Sequence, residues 1–429
     1  MADLITDVAV IGAGLSGLAC ARSLQARGVD FLLIEASDRP GGRVRTDTLD
    51  GFRLDRGFQV YLTAYPEASR VLDHRALDLR AFEPGSMVAA RGALHRLMDP
   101  WRRPLSILDG ALARVGSLQD KLRVASLRAD ARAGTPADRY AHPEGQAIDE
   151  LRQRGFSRGM IDSFFRPFFG GIFFDPDLRT STRMMRFVFR MFAQGDAAVP
   201  ALGMEQIPAQ LAAALPGDRV HCGAAAESIT HAGLALRDGR RVAARAVVIA
   251  TPSAEARRLL GLPPGRPWRS VTNLCYALDG PPPVTEPILI LDGDGHGPVT
   301  TLAFMSAVSP SYAPPGAALA SASVLGVPEA TDAELDAAAR AQMAGWFPGQ
   351  ALHRWRLLRV TRIRQALPDQ TPPWYTEPQW PARVRPGAPA VYRAGDCCDT
   401  ASIDGALVAG RRAAEHALHD LGLSGARSP

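Results

Sequence analysis

Lysine is almost missing from this chain. Of 49 basic residues, 48 are arginine and the one lysine is Lys121. A coding bias toward arginine, alanine and glycine explains this more simply than a function does. The net charge is +5, but the basic residues are spread along the sequence. A nucleic-acid surface would cluster them among stacking aromatics, so that class of partner is excluded. No stretch of 18 apolar residues occurs, which excludes a membrane-spanning helix. The first strand-like run begins within a few residues of Met1, which leaves no room for a signal peptide. There are five cysteines (Cys20, Cys222, Cys275, Cys397, Cys398), and only the last two are close. Adjacent cysteines make neither a zinc knuckle nor an easy structural disulfide. So sparse a set fits a reducing cytoplasm. No HExxH, no Ser-His-Asp set and no metal cluster stands out, and no metal is expected. Low-complexity tracts and solenoid repeats are absent as well.

What is present begins at residue 7. Asp-Val-Ala-Val-Ile at 7–11 is short and apolar, as a fully buried parallel strand is. Gly12, Gly14 and Gly17 follow as G-x-G-x-x-G, with Ser16 opening a helix-like stretch that stops at Gly28. Gly12 permits a tight turn, Gly14 lets backbone approach a pyrophosphate, and Gly17 lets helix and strand pack closely. A helix N-terminus there presents free N–H groups to phosphate. A second apolar run ends at Glu35, placed where an acid reaches ribose hydroxyls, with Ala36 next to it. Up to this point the residues indicate a dinucleotide and do not separate NAD from FAD.

The next segment separates them. Arg39-Pro-Gly-Gly-Arg-Val-Arg-Thr (39–46) resembles the R-x-G-G-R-x-x-T signature of the FAD-dependent amine oxidase, protoporphyrinogen oxidase and phytoene desaturase superfamily. Gly41 and Gly42 let backbone pass under a ligand, and Arg43 offers forked hydrogen bonds to pyrophosphate. Leu-Asp-Arg-Gly-Phe-Gln (54–59) is similar to the family's D-x-G segment. The resemblance implies that Gly57, Phe58 and Gln59 lie beside the flavin ring. Near the C-terminus, Gly395-Asp396 followed by Ser-Ile-Asp-Gly-Ala (402–406) resembles the closing motif. There the resemblance implies that Asp396 binds the ribitol chain, and that the helix opened by Ser402, Ile403 and Ala406 faces the N1 edge of the flavin. A helix N-terminus at that edge stabilises the anionic reduced ring. Some relatives bind flavin covalently through a cysteine before this motif. None occurs between 352 and 394, so the FAD is expected to be non-covalent.

The length is ample for two domains. The expected fold is α/β, with a discontinuous Rossmann-type FAD-binding domain (1–90, 203–262 and 387–423) and a second, α+β substrate domain (91–202 and 263–386). Residues 98–165 read as mostly helical and 268–330 as β-rich. Residues 219–226 read as one β-type run, followed by a hairpin turning at Asp238-Gly239.

Segment 164–192 holds nine of the sixteen phenylalanines. It reads as aromatic core, a domain seam or an apolar channel. Arg183, Arg186 and Arg190 beside apolar positions leave open a helix on a membrane surface. In the amine oxidase branch a lysine often holds a water against flavin N5, and by motif order it belongs within 268–310. None is there. Ala-Leu-Pro at 366–368 and the closing motif look more like the desaturase and protoporphyrinogen oxidase branches. No catalytic residue can be named. Tyr61, Asp175 and Arg166 read as structural rather than as helpers.

The expected activity is hydride removal from an apolar small molecule. An amine or amino-acid oxidase, or a flavin-dependent isomerase, stands as the alternative. The expected location is cytoplasmic, with peripheral contact at the inner membrane face left open. The purified protein is expected to be yellow and to release free FAD on acid precipitation. Colour retained in the pellet would overturn the non-covalent assignment.

Overall fold

The computed structural model describes residues 4–103, 115–135, 138, 143–374, 383–385, 387 and 389–423. Two sheets organise them. The first has a parallel core ordered Val220–His221, Phe31–Ile34, Leu4–Ile11, Arg241–Ile249 and Ala390–Arg393. Its central strands are apolar on both faces because helices and the antiparallel hairpin cover them. Val8, Ala9 and Val10 are fully buried. Arg241–Ile249 plays two parts. Its first half pairs antiparallel with Gly233–Leu236 across a turn with Gly239 at φ +85°. Its second half runs parallel between Leu4–Ile11 and Ala390–Arg393.

One expectation is corrected here. The stretch 219–226 is not one strand. Val220–His221 sits at the edge of the parallel sheet, while Ala226–Thr230 starts again in the hairpin. Between them, Gly223 and Ala224 donate to the carbonyls of Ser37 and Glu35, which turns the chain.

The second sheet is ordered Arg356–Pro368, Trp268–Asp279, Ala317–Leu325, Val299–Phe304, Leu289–Asp292, Gly85–Ala90 and Ala93–Met98. Four of these strands fall in 268–330, the region read as β-rich. Gly85–Ala90 lies inside the stretch 1–90 yet pairs with Leu289–Asp292. Its apolar run is buried by that sheet. The helix Asp332–Trp346 covers one face of the sheet through Leu335, Ala339 and Met343. The other face contributes Cys275, Ala277, Leu291, Ala303 and Leu319 to the main core, shared with the nucleotide-binding half.

Among the described residues, region 98–165 is mostly helical, in pieces: Leu118–Arg132, Ala147–Gln153, Arg158–Met160 and the π-helical Ile161–Phe165. Residues 93–98 form the edge strand Ala93–Met98. Leu118–Arg132 opens with a reciprocal cap in which Ser117 and Asp120 bond each other's backbone N–H. Burial alone would raise Asp120. Hydrogen bonds from the backbone and hydroxyls of Ser157 and Ser117 hold it down, to about 2. No described helix is long and apolar enough to cross a membrane.

The tightest packing joins the chain's two ends. The opening helix Leu15–Gln25 lies against the closing helix Ile403–Asp420. A Cβ on Gly410 would stand 2.1 Å from the Ser16 carbonyl oxygen, and one on Gly17 would stand 1.8 Å from that of Gly12. Both obstacles are backbone and cannot swing aside. Gly17→Ala and Gly410→Ala are each expected to destabilise the fold by about 2–3 kcal/mol or more. A urea midpoint unchanged in either variant would contradict this packing.

Candidate active site

The glycine turn forms as its sequence requires. Gly12 has φ +97°, and a Cβ there would lie 2.8 Å from the Ala250 carbonyl oxygen. No side chain caps the opening helix at Gly14, so its first N–H groups stay available to an anion. The two glycine motifs face each other. Gly41 N–H donates to the Ala13 carbonyl at 2.9 Å. A Cβ on Gly42 would come within 3.1 Å of Gly14 Cα, and one on Gly14 would meet nothing nearer than Gly42 Cα, at 4.0 Å. Side chains on these glycines would fill the space between the two motifs.

Glu35 stands at the end of the second parallel strand. Its Oε2 accepts from Ala13 N–H at 2.7 Å, and its Oε1 accepts from Ser37 N–H at 2.8 Å and Ser37 Oγ at 2.6 Å. The carboxylate is thus held at the turn with Ala36 exposed beside it. Facing backbone glycines, an uncapped helix end and a held carboxylate make a donor and acceptor set that fits a dinucleotide.

Arg43 reaches across to the far end of the chain. Its Nη2 pairs with Asp396 Oδ2 at 2.8 Å, and its Nη1 donates to the Ala366 carbonyl at 2.8 Å. The guanidinium lies over the Trp268 ring, 5.4 Å from its centroid. Gln59 Nε2 donates to the Arg43 carbonyl at 3.0 Å. Gly57 is buried against Ile363, and the Phe58 ring meets Phe82 edge-on at 6.1 Å. The other half of the arginine motif points inward. Arg45 is buried and bonds Asp38 and Ser37, while Thr46 Oγ1 donates to Asp55 at 2.5 Å. Asp55 also accepts from Tyr312 Oη and Met204 N–H, and burial pushes it up to about 6. The aspartate of the D-x-G segment is therefore a half-buried post that holds the loop.

At the closing helix, Ser402 Oγ accepts from Gly405 N–H at 3.0 Å and so caps the first turn. Ser16 Oγ donates to the Ala406 carbonyl at 2.8 Å, across 390 positions of sequence. Ile403 is half-buried, and Gly395 takes φ +142°, a value suited to glycine. The structure brings together around one region Gly12, Gly14, Ser16, Gly17, Glu35, Gly41, Gly42, Arg43, Gln59, Asp396, Ser402 and Ala406. Sequence reasoning missed Trp268 and the Ala366 carbonyl, which hold Arg43. Nothing local to either residue marks that contact. It missed Asp404 as well. That residue looks like an ordinary first-turn acid, but its Oδ1 accepts from Glu67 and Ala68 N–H at 2.7 and 3.0 Å and caps the neighbouring helix Pro66–Val71.

The aromatic segment divides. Phe165, Phe169, Phe173 and Phe187 are buried core. Phe164, Phe168, Phe189 and Phe192 are half-buried against that core. Phe165 and Phe169 stack at 5.9 Å, and Phe164 and Phe168 at 5.4 Å. Phe187 stacks on Tyr65 at 6.0 Å, and a Cβ on Gly171 would touch Thr301 of the second sheet at 3.0 Å. The segment is a seam between the two halves.

Two of the three arginines of Thr182–Gln194 have partners inside the protein. Arg186 pairs with Glu150 at 3.0 Å, and Arg190 donates to the carbonyls of Ala133 and Gly134. Both arginines serve neighbouring helices within the protein. The three conceivable helpers are also occupied. Tyr61 Oη bonds His74, Asp175 accepts from Thr180, and Arg166 holds Asp162 and the Pro176 carbonyl.

Two predictions follow from this geometry. Burial pushes Asp404 up to about 6, against two backbone hydrogen bonds that act to lower it. Its folded-state value lies above the unfolded one, so the native state holds the proton more tightly. The resulting stability is fully present below about pH 4 and is lost as pH rises through about 6. A difference of that size is worth on the order of 2–3 kcal/mol. Asp404→Asn keeps the accepting oxygen without the buried charge. Its melting temperature relative to the native protein is expected to rise between pH 4 and 7, and parallel curves would refute the assignment. Glu35→Ala and Arg43→Ala are each expected to weaken flavin retention, the former by about 1–3 kcal/mol. Unchanged retention in both, measured by flavin released on gel filtration, would show that these contacts are not made.

Comparison with known proteins agrees with this architecture. The profile of the flavin-containing amine oxidoreductase family matches residues 15–418. Protoporphyrinogen oxidase 2 of Arabidopsis thaliana is 30% identical over 166 residues, 38% of this chain and 32% of that protein. Putrescine oxidase of Kocuria rosea is 31% identical over 159 residues, 34% of this chain and 29% of that protein. The matches thus span about a third of those relatives' own length. An oxidoreductase structure from Methanosarcina mazei superposes with TM-score 0.74 at 18% identity, covering 95% of this chain and 100% of that one. The chain belongs to the flavin-containing amine oxidoreductase family, with FAD as its cofactor.

Proposed function

We propose that this protein removes a hydride from an apolar small molecule, as an FAD-dependent dehydrogenase or desaturase. One observation carries the reading. Phenylalanines 164, 168, 189 and 192 stay half-buried on a buried aromatic layer whose segment touches both Tyr65 and Thr301 of the second sheet. A wall of this kind suits a hydrophobic or polycyclic substrate.

FAD, when bound, supplies a two-electron acceptor for hydride. The chain's own residues bind, orient and exclude water. Gly14 and Gly42 leave room for the pyrophosphate, and Arg43 offsets its charge. Glu35 receives the ribose hydroxyls, and Asp396 receives the ribitol chain. The N-terminus of the closing helix, where Ser402 takes up one first-turn N–H, turns its remaining N–H groups to the ring edge that gains charge. No cysteine lies between 352 and 394 to attach the flavin, which supports non-covalent binding. For a desaturase, positioning and dryness supply much of the rate. That accords with Tyr61, Asp175 and Arg166 serving as structural posts.

A second reading, an amine or amino-acid oxidase, draws support from one feature. The sheet face turned to the shared core carries uncharged polar groups, with Asn273 Nδ2 donating to Ser321 Oγ at 2.9 Å. The absence of lysine between 268 and 310 weighs against an oxidase of the usual branch design.

Anaerobic titration separates the two readings. Isoprenoids or porphyrinogens are expected to bleach the flavin and small amines are not, and the reverse pattern would revive the oxidase. Phe168 is half-buried, so Phe168→Glu is expected to leave the fold and FAD intact and to abolish turnover. Phe169 is fully buried, and a charge there would test folding instead. Full turnover in Phe168→Glu would sink the apolar channel. Reoxidation of the reduced protein by oxygen is expected to be slow in stopped-flow, because no N5-side lysine is present.

A further inference from the structure

The closing motif contains a pair of thiols that the proposed reaction does not use. Cys397 and Cys398 follow Asp396 in a single tight turn. Their sulfur atoms stand 3.8 Å apart, and both side chains are buried. We propose that these two residues form a vicinal dithiol that a small peroxide closes, reversibly, into a disulfide.

Geometry argues for reversibility. Neighbouring Cα atoms are about 3.8 Å apart across a trans peptide, less than the ~4.4–6.8 Å that unstrained disulfides span. A ring closed here is strained and readily reduced, unlike a structural crosslink. The turn is also held in place for closure. Cys398 N–H donates to the Gly395 carbonyl at 2.9 Å, and Arg412 Nη2 holds the Cys398 carbonyl at 2.6 Å. Arg412 also pairs with Asp399 at 3.2 Å, so the backbone on both sides of the thiols is anchored. Bringing the sulfurs from 3.8 Å to bonding distance then needs side-chain rotation and a twist of the peptide between them, which is the strain that favours reopening.

The two thiols are chemically unequal. The hydrogen bond from Cys397 and the nearby positive charge of Arg393 hold the Cys398 thiol below its usual range, while the same contact and burial push Cys397 well above it. Such a pair provides an attacking and a resolving sulfur. In the first step the Cys398 thiolate attacks a peroxide oxygen. The O–O bond breaks, one oxygen stays as the sulfenic acid, and the other leaves as water after taking a proton. In the second step the Cys397 sulfur attacks the sulfenic sulfur. The S–S bond forms, the S–O bond breaks, and a second water leaves with the Cys397 proton. The thiols lose two electrons and two hydrogens, and one hydrogen peroxide is reduced to two waters. Both thiols keep a little solvent exposure, 8% at Cys397 and 4% at Cys398, so a small peroxide is the oxidant chosen. The inference rests on these residues alone and is independent of the proposed substrate.

The test uses the purified holoprotein, hydrogen peroxide and mass spectrometry of the tryptic peptide 394–411, with exposed Cys222 as internal reference. At doses that oxidise Cys222, the unreduced peptide is expected to become about 2 Da lighter, the loss of two hydrogens. Dithiothreitol is expected to restore its mass. Thiols titrated in denaturant at Cys397 and Cys398 are expected to fall from two to none and to return on reduction. Cys398→Ser is expected to lose the lighter species. The proposal is overturned if the peptide stays unchanged while Cys222 reacts, if it gains only oxygen, or if Cys398→Ser still yields the lighter form.

Discussion

The backbone contact between the opening and closing helices is the constraint on which the rest of this molecule depends. Gly410 allows the two helices to touch at the Ser16 carbonyl, and Ser16 Oγ secures them by bonding the Ala406 carbonyl. That contact sets the N-terminal turns of the two helices side by side. The parallel sheet serves the same purpose. Arg241–Ile249 lies between Leu4–Ile11 and Ala390–Arg393, so the first and last strands reach the same edge of the cleft.

Several charges beside the site are paired across distant segments. Arg43 pairs with Asp396 and lies over the Trp268 ring. Arg45, two positions later, is buried and used wholly for structure. The same short motif thus sends one arginine across to the closing motif and the other into its own loop. Half-buried Asp55 and buried Asp404 are carboxylates whose backbone and side-chain donors do not fully offset the cost of desolvation. Both hold loops beside the site. The cleft's shape is therefore maintained at some expense to stability, as is common where a site must be preorganised.

The aromatic seam shows how a single compositional feature can serve two roles. Its buried rings fill the core, and its half-buried rings remain at the boundary. A run of phenylalanines in the sequence does not reveal that division. It follows from which side of Arg166–Phe173 and Thr182–Gln194 meets the second sheet and which meets Tyr65.

The sequence by itself determined the local devices. The apolar strand, the glycine turn, the acid at Glu35, the second glycine pair and the capped closing helix are short-range patterns, because each glycine or cap answers a need of its own backbone. They were legible, and with them the α/β class and the family. Tertiary structure alone decided what those devices touch. Trp268 beneath Arg43, Asp404 on a neighbouring helix, Gly85–Ala90 in the second sheet and the inward use of Arg186 and Arg190 all depend on contacts between distant segments. The split of 219–226 into two strands is of the same kind, since the break is made by hydrogen bonds to Ser37 and Glu35. Such contacts leave no periodicity or spacing in the chain, because the partners are selected by packing and not by neighbours in sequence.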